Sequence, residues 1–466
     1  MSSTMLYNWS TAGYLMSLFL FAVHVVNVRR LLLKTGVVIV AVSFLVQTAG
    51  MVARWIEAGA LEVEAAEKAL GQSLHGWSWF VVFTQHPPWS NLYEIMVYMS
   101  WGIIMTTLMA ELRFQIAWVR QMGIILALMA LGVASLTDAS IKPLVPALKS
   151  WWIMIHVISA SIAYAAGSIA AFICLLALMK DNERVSKERF FGAALFCMAV
   201  LLIALSGGWR LFLEQAYYVK LLGMAGEQIV TVSNMAQTQK TTFMVPMPTM
   251  GMGLIMAVLV HIGAACVLLL GRGGAYIKAL YVVPFCASCV VLLIALITDF
   301  RALAIDTVEP SLAHHLSPSG PWFISFKSHP WSLFLLILVI ALEAFFLLYL
   351  LKPDVLRMRL PHLETLELAS YRAISLSFFL MTLVLVTGAL WAHYAWGRYW
   401  AWDPKETGAL AIWLNYAIYL HTKRTPGLSG PVSSFIGILG FFVIIIGFLG
   451  VNLGLFADGL HTYGNN

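Results

Sequence analysis

The chain has 466 residues, 61% of them hydrophobic and only 11% charged, with a net charge of +6 and a mean hydropathy of +0.85. Soluble domains carry about 25% charged residues, so this composition excludes an ordinary soluble fold. The basic residues are scattered over many short loops, which excludes the single basic patch of a nucleic-acid binder. Apolar runs of about 20 residues recur along the whole length, in place of the short alternating segments of a membrane barrel. The expected class is all-α: a polytopic integral membrane helix bundle of about twelve transmembrane helices.

In chain order the spans are read at 11–29, 36–54, 91–110, 117–137, 151–179, 190–208, 248–271, 279–298, 331–351, 373–395, 405–422 and 432–456. The opening Met1-Ser-Ser-Thr lacks a basic n-region, so the first run is expected to be a retained span. Assigning alternate loops to two sides puts most of the 28 Lys and Arg on the side of Arg29, Arg113, Lys180, Arg272, Lys352 and Lys423. By the positive-inside rule that side is cytoplasmic and both termini lie outside. The long outer loops are 55–90, 209–247, 299–330 and 396–404. The first carries Glu57, Glu62, Glu64 and Glu67 and reads as a solvated amphipathic cover, able to form a short surface helix. All five cysteines fall inside apolar runs, so no disulfide framework is expected. Cys286-Ala-Ser-Cys289 has the C-x-x-C spacing of redox and metal sites, but it sits mid-span without a strand-helix context and reads as core.

The outer loop before the eleventh span is the most unusual stretch: Trp396-Gly-Arg-Tyr-Trp400-Ala-Trp402-Asp403-Pro404-Lys405-Glu406-Thr407. Trp396 and Trp400 share a face on a helical turn, and with Tyr399 and Trp402 they can present flat rings to a porphyrin. Arg398 and Lys405 can pair with its propionates. Two plainer readings stand beside this one. Asp403, Pro404 and Glu406 match the start of a helix with a capping box, and tryptophans gather at any membrane interface. An interfacial belt, however, spreads its tryptophans over many span ends, whereas three here fall within seven residues, with Trp391 and Trp413 close by.

Two of the twelve histidines lie at the level of this loop. His156 opens the fifth span after Trp151 and Trp152, and His461 follows the last span. Neutral imidazole is a common haem-iron ligand, and a ring held on both faces needs two at one depth. His421 ends its span beside Lys423 and Arg424, about 26 Å from Pro404 at the helical rise. It cannot reach the same ring, so as a ligand it implies a second, deeper site, for which His24 is a weakly supported partner. His261 lies mid-span and His393 abuts the loop. Glu343 is a carboxylate within a span, a costly placement that is often functional, although partner helices or a protonated state explain it equally.

Five segments in this order resemble one family. They are Ser90-Asn91-Leu-Tyr-Glu94, Pro146-Ala-Leu-Lys-Ser150 leading to His156, and Ser370-Tyr-Arg372 with Gly388-Ala-Leu-Trp391-Ala. The tract Trp396 to His421 and Gly450-Val-Asn-Leu with Gly459-Leu-His461 complete the set. Together they resemble the CcsA (ResC) proteins of the Ccs, or System II, cytochrome c maturation pathway, within the haem-handling superfamily named for its tryptophan-rich WWD loop. The resemblance covers residues 36–182 and 365–466. It implies a holocytochrome c synthase component in the bacterial inner membrane, with the WWD loop on the periplasmic side, that carries haem outward and promotes its thioether attachment to Cys-x-x-Cys-His motifs. It implies haem b bound outside by His156 and His461 against Trp396, Trp400, Trp402, Arg398 and Asp403, and an inner site using His421. The implied partners are a CcsB (ResB)-like membrane protein, which supplies the other intramembrane histidine, an apocytochrome c and a thioredoxin-like thiol reductant. No general acid or base stands out, so catalysis is expected to be positioning.

The chain departs from the family's pattern in three places. Residues 190–351 look like an insertion of four spans, an even number that preserves orientation. This gives an organisation of 1–182, an inserted membrane segment 183–364, and a WWD domain 365–466. His393-Tyr394 replaces a usual Asn-Glu pair, and Gly408 stands where Trp is common. The CcmF haem lyases of System I also have extra spans, but lack the Pro-Lys-Glu-Thr continuation with a terminal histidine. They and a haem exporter or chaperone without ligation activity are the alternatives.

Overall fold

The computed structural model describes residues 2–26, 29–84, 87, 89, 91–114, 116–135, 139–141, 144, 149–181, 186–205, 217–225, 228–230, 243–290, 323–324, 339, 342–347, 349–354 and 360–452. In chain order the elements are α1 (Ser3–Val26), α2 (Arg30–Leu70), α3 (Gly76–Thr84), α4 (Leu92–Phe114), α5 (Ala117–Ser135), α6 (Trp151–Lys180) and α7 (Lys187–Leu205). Strands β1 (Tyr217–Ala225), β2 (Gln228–Val230) and β3 (Phe243–Met247) come next, then α8 (Pro248–Leu269) and α9 (Gly274–Val290). The short strand β4 (Phe323–Ile324) and α10 (Leu342–Leu351) precede α11 (Leu363–Trp396), α12 (Pro404–Arg424) and α13 (Pro431–Asn452). Each apolar run read as a span overlaps a helix of the described residues. Among the described residues five helices are long and apolar enough to cross a membrane: Arg30–Leu70, Tyr93–Phe114, Trp118–Ser135, Trp151–Lys180 and Leu363–Trp396. This is a helical membrane protein.

The chain forms two compact units, Met1–Asp181 with Leu360–Gly464, and Asn182–Arg359 with the last two residues. In the first, α6 is the central post. Its face of Ala163, Ala166, Gly167 and Ala170 carries no side chain longer than a methyl, so α11 and α13 approach closely and α4 packs on another side. The core there is Ala163, Ala170, Cys174, Ile374, Met381, Val384, Ile412, Tyr416, Tyr419 and Ile444. The Ser377 hydroxyl donates to the Ala163 carbonyl at 2.7 Å, a polar tie between α11 and α6 inside that core. Such ties matter in a bilayer, where lipid tails offer no competing hydrogen bond.

Two of the segments read as outer loops differ from that reading. Helix α2 does not stop at residue 54; it runs for 41 residues, about 62 Å at the helical rise, roughly twice the hydrocarbon thickness. The acidic residues of its outer half are engaged in bonds as well as solvated. Glu57 accepts from the Ser3 backbone N–H at 2.9 Å, and Glu62 binds Lys149 Nζ at 2.8 Å and the Leu144 N–H. Helix α3, Gly-Trp-Ser-Trp-Phe-Val-Val-Phe-Thr, is apolar throughout and has no buried residue. The segment 209–247 is not simple loop either. It contributes β1, β2 and β3 to a small antiparallel sheet, ordered β2-β1-β3 with β4 also pairing β1. The second unit therefore adds a small sheet to a chain whose described residues are predominantly helical, as expected. Its tyrosine, valine and leucine content, Tyr217-Tyr-Val-Lys-Leu-Leu222, suits a short strand.

Candidate functional site

The tryptophan loop is fixed at both ends. Helix α11 stops where Gly397 turns left-handed (φ 72°) and donates its N–H to the His393 carbonyl at 2.8 Å. Helix α12 starts with a full capping box. Asp403 accepts from the Lys405 N–H at 2.9 Å, and the Glu406 carboxylate accepts from the N–H groups of Asp403 and Ala401 at 3.3 and 2.8 Å. Asp403 is buried and holds the start of the helix. Between these stops Tyr399 and Trp402 are exposed and Trp400 is half-buried. Trp402 has φ 58°, the one non-glycine positive φ among the described residues, and its side chain is 72% exposed. A tryptophan in that conformation costs on the order of 1–3 kcal/mol, and such cost concentrates at ligand sites. Its ring meets Trp400 edge-on at 5.8 Å. Tyr399 stacks on His393 at 4.2 Å and 8°. The Trp400 indole N–H is buried and has no partner among the described residues. Arg398 is exposed beside them.

His156 reaches this aromatic group from α6. Its Nδ1 lies 2.9 Å from the Val384 carbonyl of α11. A carbonyl only accepts, so Nδ1 carries the hydrogen and the lone pair of the neutral ring is on Nε2, the tautomer that binds iron. The ring fits because position 388 is glycine: a Cβ there would lie 2.9 Å from both Cε1 and Nδ1. Trp391, buried one turn further along α11, stands 6.3 Å from the imidazole, and Trp396 stands 4.9 Å beyond it at 62°. His156, Trp391 and Trp396 thus form one continuous run into the loop. His461 lies outside the described residues.

At the other end of α12, His421 is exposed. The helix end is pinned around it by Lys423 on Glu367 at 2.7 Å and by Arg424 on Tyr371 at 3.2 Å. His24 is not brought to it. Its helix packs on α2 and α5, while α12 packs on α11 and α13, and His24 Nδ1 bonds the Arg29 carbonyl at 3.1 Å.

Sequence reasoning missed Val384, Gly388 and Trp391 as the seat of His156, though Gly388 and Trp391 stand in a segment it singled out. It also missed the brace on the loop that leads to α6. Arg54, read as a span end, is buried, pairs with Glu94 at 2.9 Å and donates to the Ala139 carbonyl at 2.7 Å. Asn91 accepts from the Glu94 N–H at 2.9 Å to start α4, and its amide donates to the Ser140 carbonyl at 3.3 Å. With Glu62 on Lys149 and Leu144, the second half of α2 and the start of α4 hold Ala139, Ser140, Leu144 and Lys149 just before His156. The glycine at 408 also has a reason. A Cβ there would lie 3.1 Å from the Gly447 backbone, so α12 and α13 touch where a tryptophan cannot fit.

A family profile described as Cytochrome C assembly protein matches residues 89–456. The chain belongs to the cytochrome c assembly protein family. Among its relatives is a cytochrome c biogenesis protein CcsA of Picosynechococcus sp., 27% identical over 384 residues, which covers 81% of this chain and 80% of that protein. Proteins of the same name from Prochlorococcus marinus and Marchantia polymorpha are 52% identical over 101 and 102 residues, each alignment covering 22% of this chain and 31% of the relative. The match of the family profile spans residues 183–364 as well as the tryptophan loop.

Proposed function

We propose that this cytochrome c assembly protein takes part in cytochrome c maturation by holding haem at its outer face and presenting it for covalent attachment. The observation that carries this reading is the seat of His156: a tautomer with its lone pair on Nε2, set beside Trp391 and Trp396 at the edge of an exposed tryptophan loop. The buried Trp400 N–H, without a partner among the described residues, and the exposed Arg398 suit a flat ring carrying carboxylates.

In this reading His156 and His461 bind the iron of haem b on its two faces. Trp396, Trp400 and Trp402 shelve the ring, and Arg398 meets a propionate. Asp403 acts by holding the first turn of α12 rather than by touching the ring. The exposed His421 contributes to an inner site completed by the intramembrane histidine of a CcsB-like partner. An apocytochrome c, kept reduced by a thioredoxin-like donor, docks outside. Each thiol of its Cys-x-x-Cys-His motif adds across a vinyl group: a C–S bond forms, the thiol hydrogen passes to the vinyl carbon, and no electron is gained or lost overall. The protein's contribution is orientation, which brings two reactants into one geometry.

Co-expression with an apocytochrome and the CcsB-like partner, scored by haem that stays on the cytochrome after denaturation, tests the synthase reading. Covalent haem that falls at least tenfold with His156→Ala is expected. A cytochrome equally well haemylated with and without this protein contradicts it, and haem bound to this protein but never transferred would make it a haem carrier.

A further inference from the structure

The second unit contains a buried polar pair that haem handling does not use. His261 of α8 and Glu343 of α10 are 0% and 1% exposed, and His261 Nε2 lies 2.8 Å from Glu343 Oε1. On the other side of the ring, Nδ1 lies 2.7 Å from the Ala257 carbonyl. That carbonyl only accepts, so Nδ1 carries a hydrogen. Nε2 and Oε1 then share one further proton, whether written as imidazolium with carboxylate or as imidazole with carboxylic acid. The second carboxylate oxygen, Glu343 Oε2, is buried with no hydrogen-bond partner among the described residues.

An unsatisfied carboxylate oxygen inside a membrane bundle is costly. Two things relieve it: a metal or a proton. A metal needs more donors, and among the described residues no group of three or more His, Cys, Asp or Glu is placed to hold one. Among the described residues, no second carboxylate or imidazole joins the pair. From α9, Tyr281 donates its hydroxyl to the Glu343 backbone carbonyl at 3.3 Å, and Cys289 lies within electrostatic range of Glu343. From α7, the residues against α10 are Phe190 and Phe191, which do not titrate.

We propose that His261 and Glu343 form an intramembrane proton-binding site in the inserted unit, with Glu343 Oε2 as the atom that takes up an exchangeable proton. At rest the pair is neutral and holds one shared proton. Uptake of one proton from water places it on Oε2, leaving Nε2–H donating to Oε1 and a net charge of +1; release returns the same proton to water. No oxidation or bond cleavage is involved. The inserted unit would then carry a charge that depends on the proton concentration on whichever side reaches it.

The test is infrared difference spectroscopy of the full-length protein in lipid during acidification, with glutamate and histidine isotopically labelled. The wild type is expected to gain on acidification a protonated carboxyl C=O band that shifts in deuterium oxide. The same sample should show imidazolium bands of a hydrogen-bonded histidine. The carboxyl band should vanish in Glu343→Gln and titrate at a different pH in His261→Gln. A labelled wild type with no titrating carboxyl band overturns the proposal without any variant having to fold. So does a band that persists unchanged in Glu343→Gln.

Discussion

Gly388 is where one residue decides whether another can act. The imidazole of His156 occupies the space a side chain would take, and its Nδ1 bond to the Val384 carbonyl depends on that approach. Gly388→Val is therefore expected to lose most outer-site haem while the inner site keeps its own, read from the visible and magnetic circular dichroism spectra. Outer haem retained in full would show that His156 is not seated by this notch. Asp403 makes a contrasting case. Its carboxylate caps α12, so Asp403→Ala is expected to cost about 0.5–2 kcal/mol of stability, while Asp403→Ser, still a capping residue, should recover most of it. Thermal unfolding in detergent separates the two. A haem spectrum lost in both variants with stability unchanged would assign Asp403 to the ring instead. Trp396, Trp400 and Trp402 could be read directly from their density in the sequence. The seat of His156 could not, because Val384 is 228 positions away and only packing of α6 on α11 brings it near.

At the scale of elements, the helices were legible because about 20 apolar residues are what a bilayer demands of a helix. Their ends were less so. The outer half of α2 has a soluble-looking, acidic sequence, and nothing local shows that Arg54 is buried against Glu94 and the Ala139 carbonyl. The strands within 217–247 were hidden for a different reason: runs of three to nine residues are too short to separate from loop beside far stronger span signals. The brace around Arg54 makes a quantitative expectation. Breaking a buried pair by removing one partner costs about 3–5 kcal/mol because a charge is left behind. Arg54→Leu should thus destabilise the protein more than the double change Arg54→Leu with Glu94→Leu, measured by thermal unfolding. Equal losses would mean that the pair is not buried. At the α12–α13 contact, Gly408→Trp is expected to separate the two helices at Gly447 and lower stability further than Gly408→Ala.

Over the whole molecule, the account places the tryptophan loop outside and the basic end of α12 inside. In a cysteine-free background, a single cysteine at Tyr399 is expected to react with a membrane-impermeant maleimide in intact cells. One at Thr425 should react only after the membrane is opened. The reverse pattern would invert the protein and with it the direction of haem delivery. The central claim is that one haem sits between His156 and His461 against the tryptophan loop, and the visible absorption spectrum of the detergent-purified protein tests it most directly. The wild type should show bis-histidine haem. His156→Ala and His461→Ala should each lose the outer-site component and regain it with added imidazole. A double variant whose bis-histidine spectrum matches the wild type in shape and amount would contradict the claim.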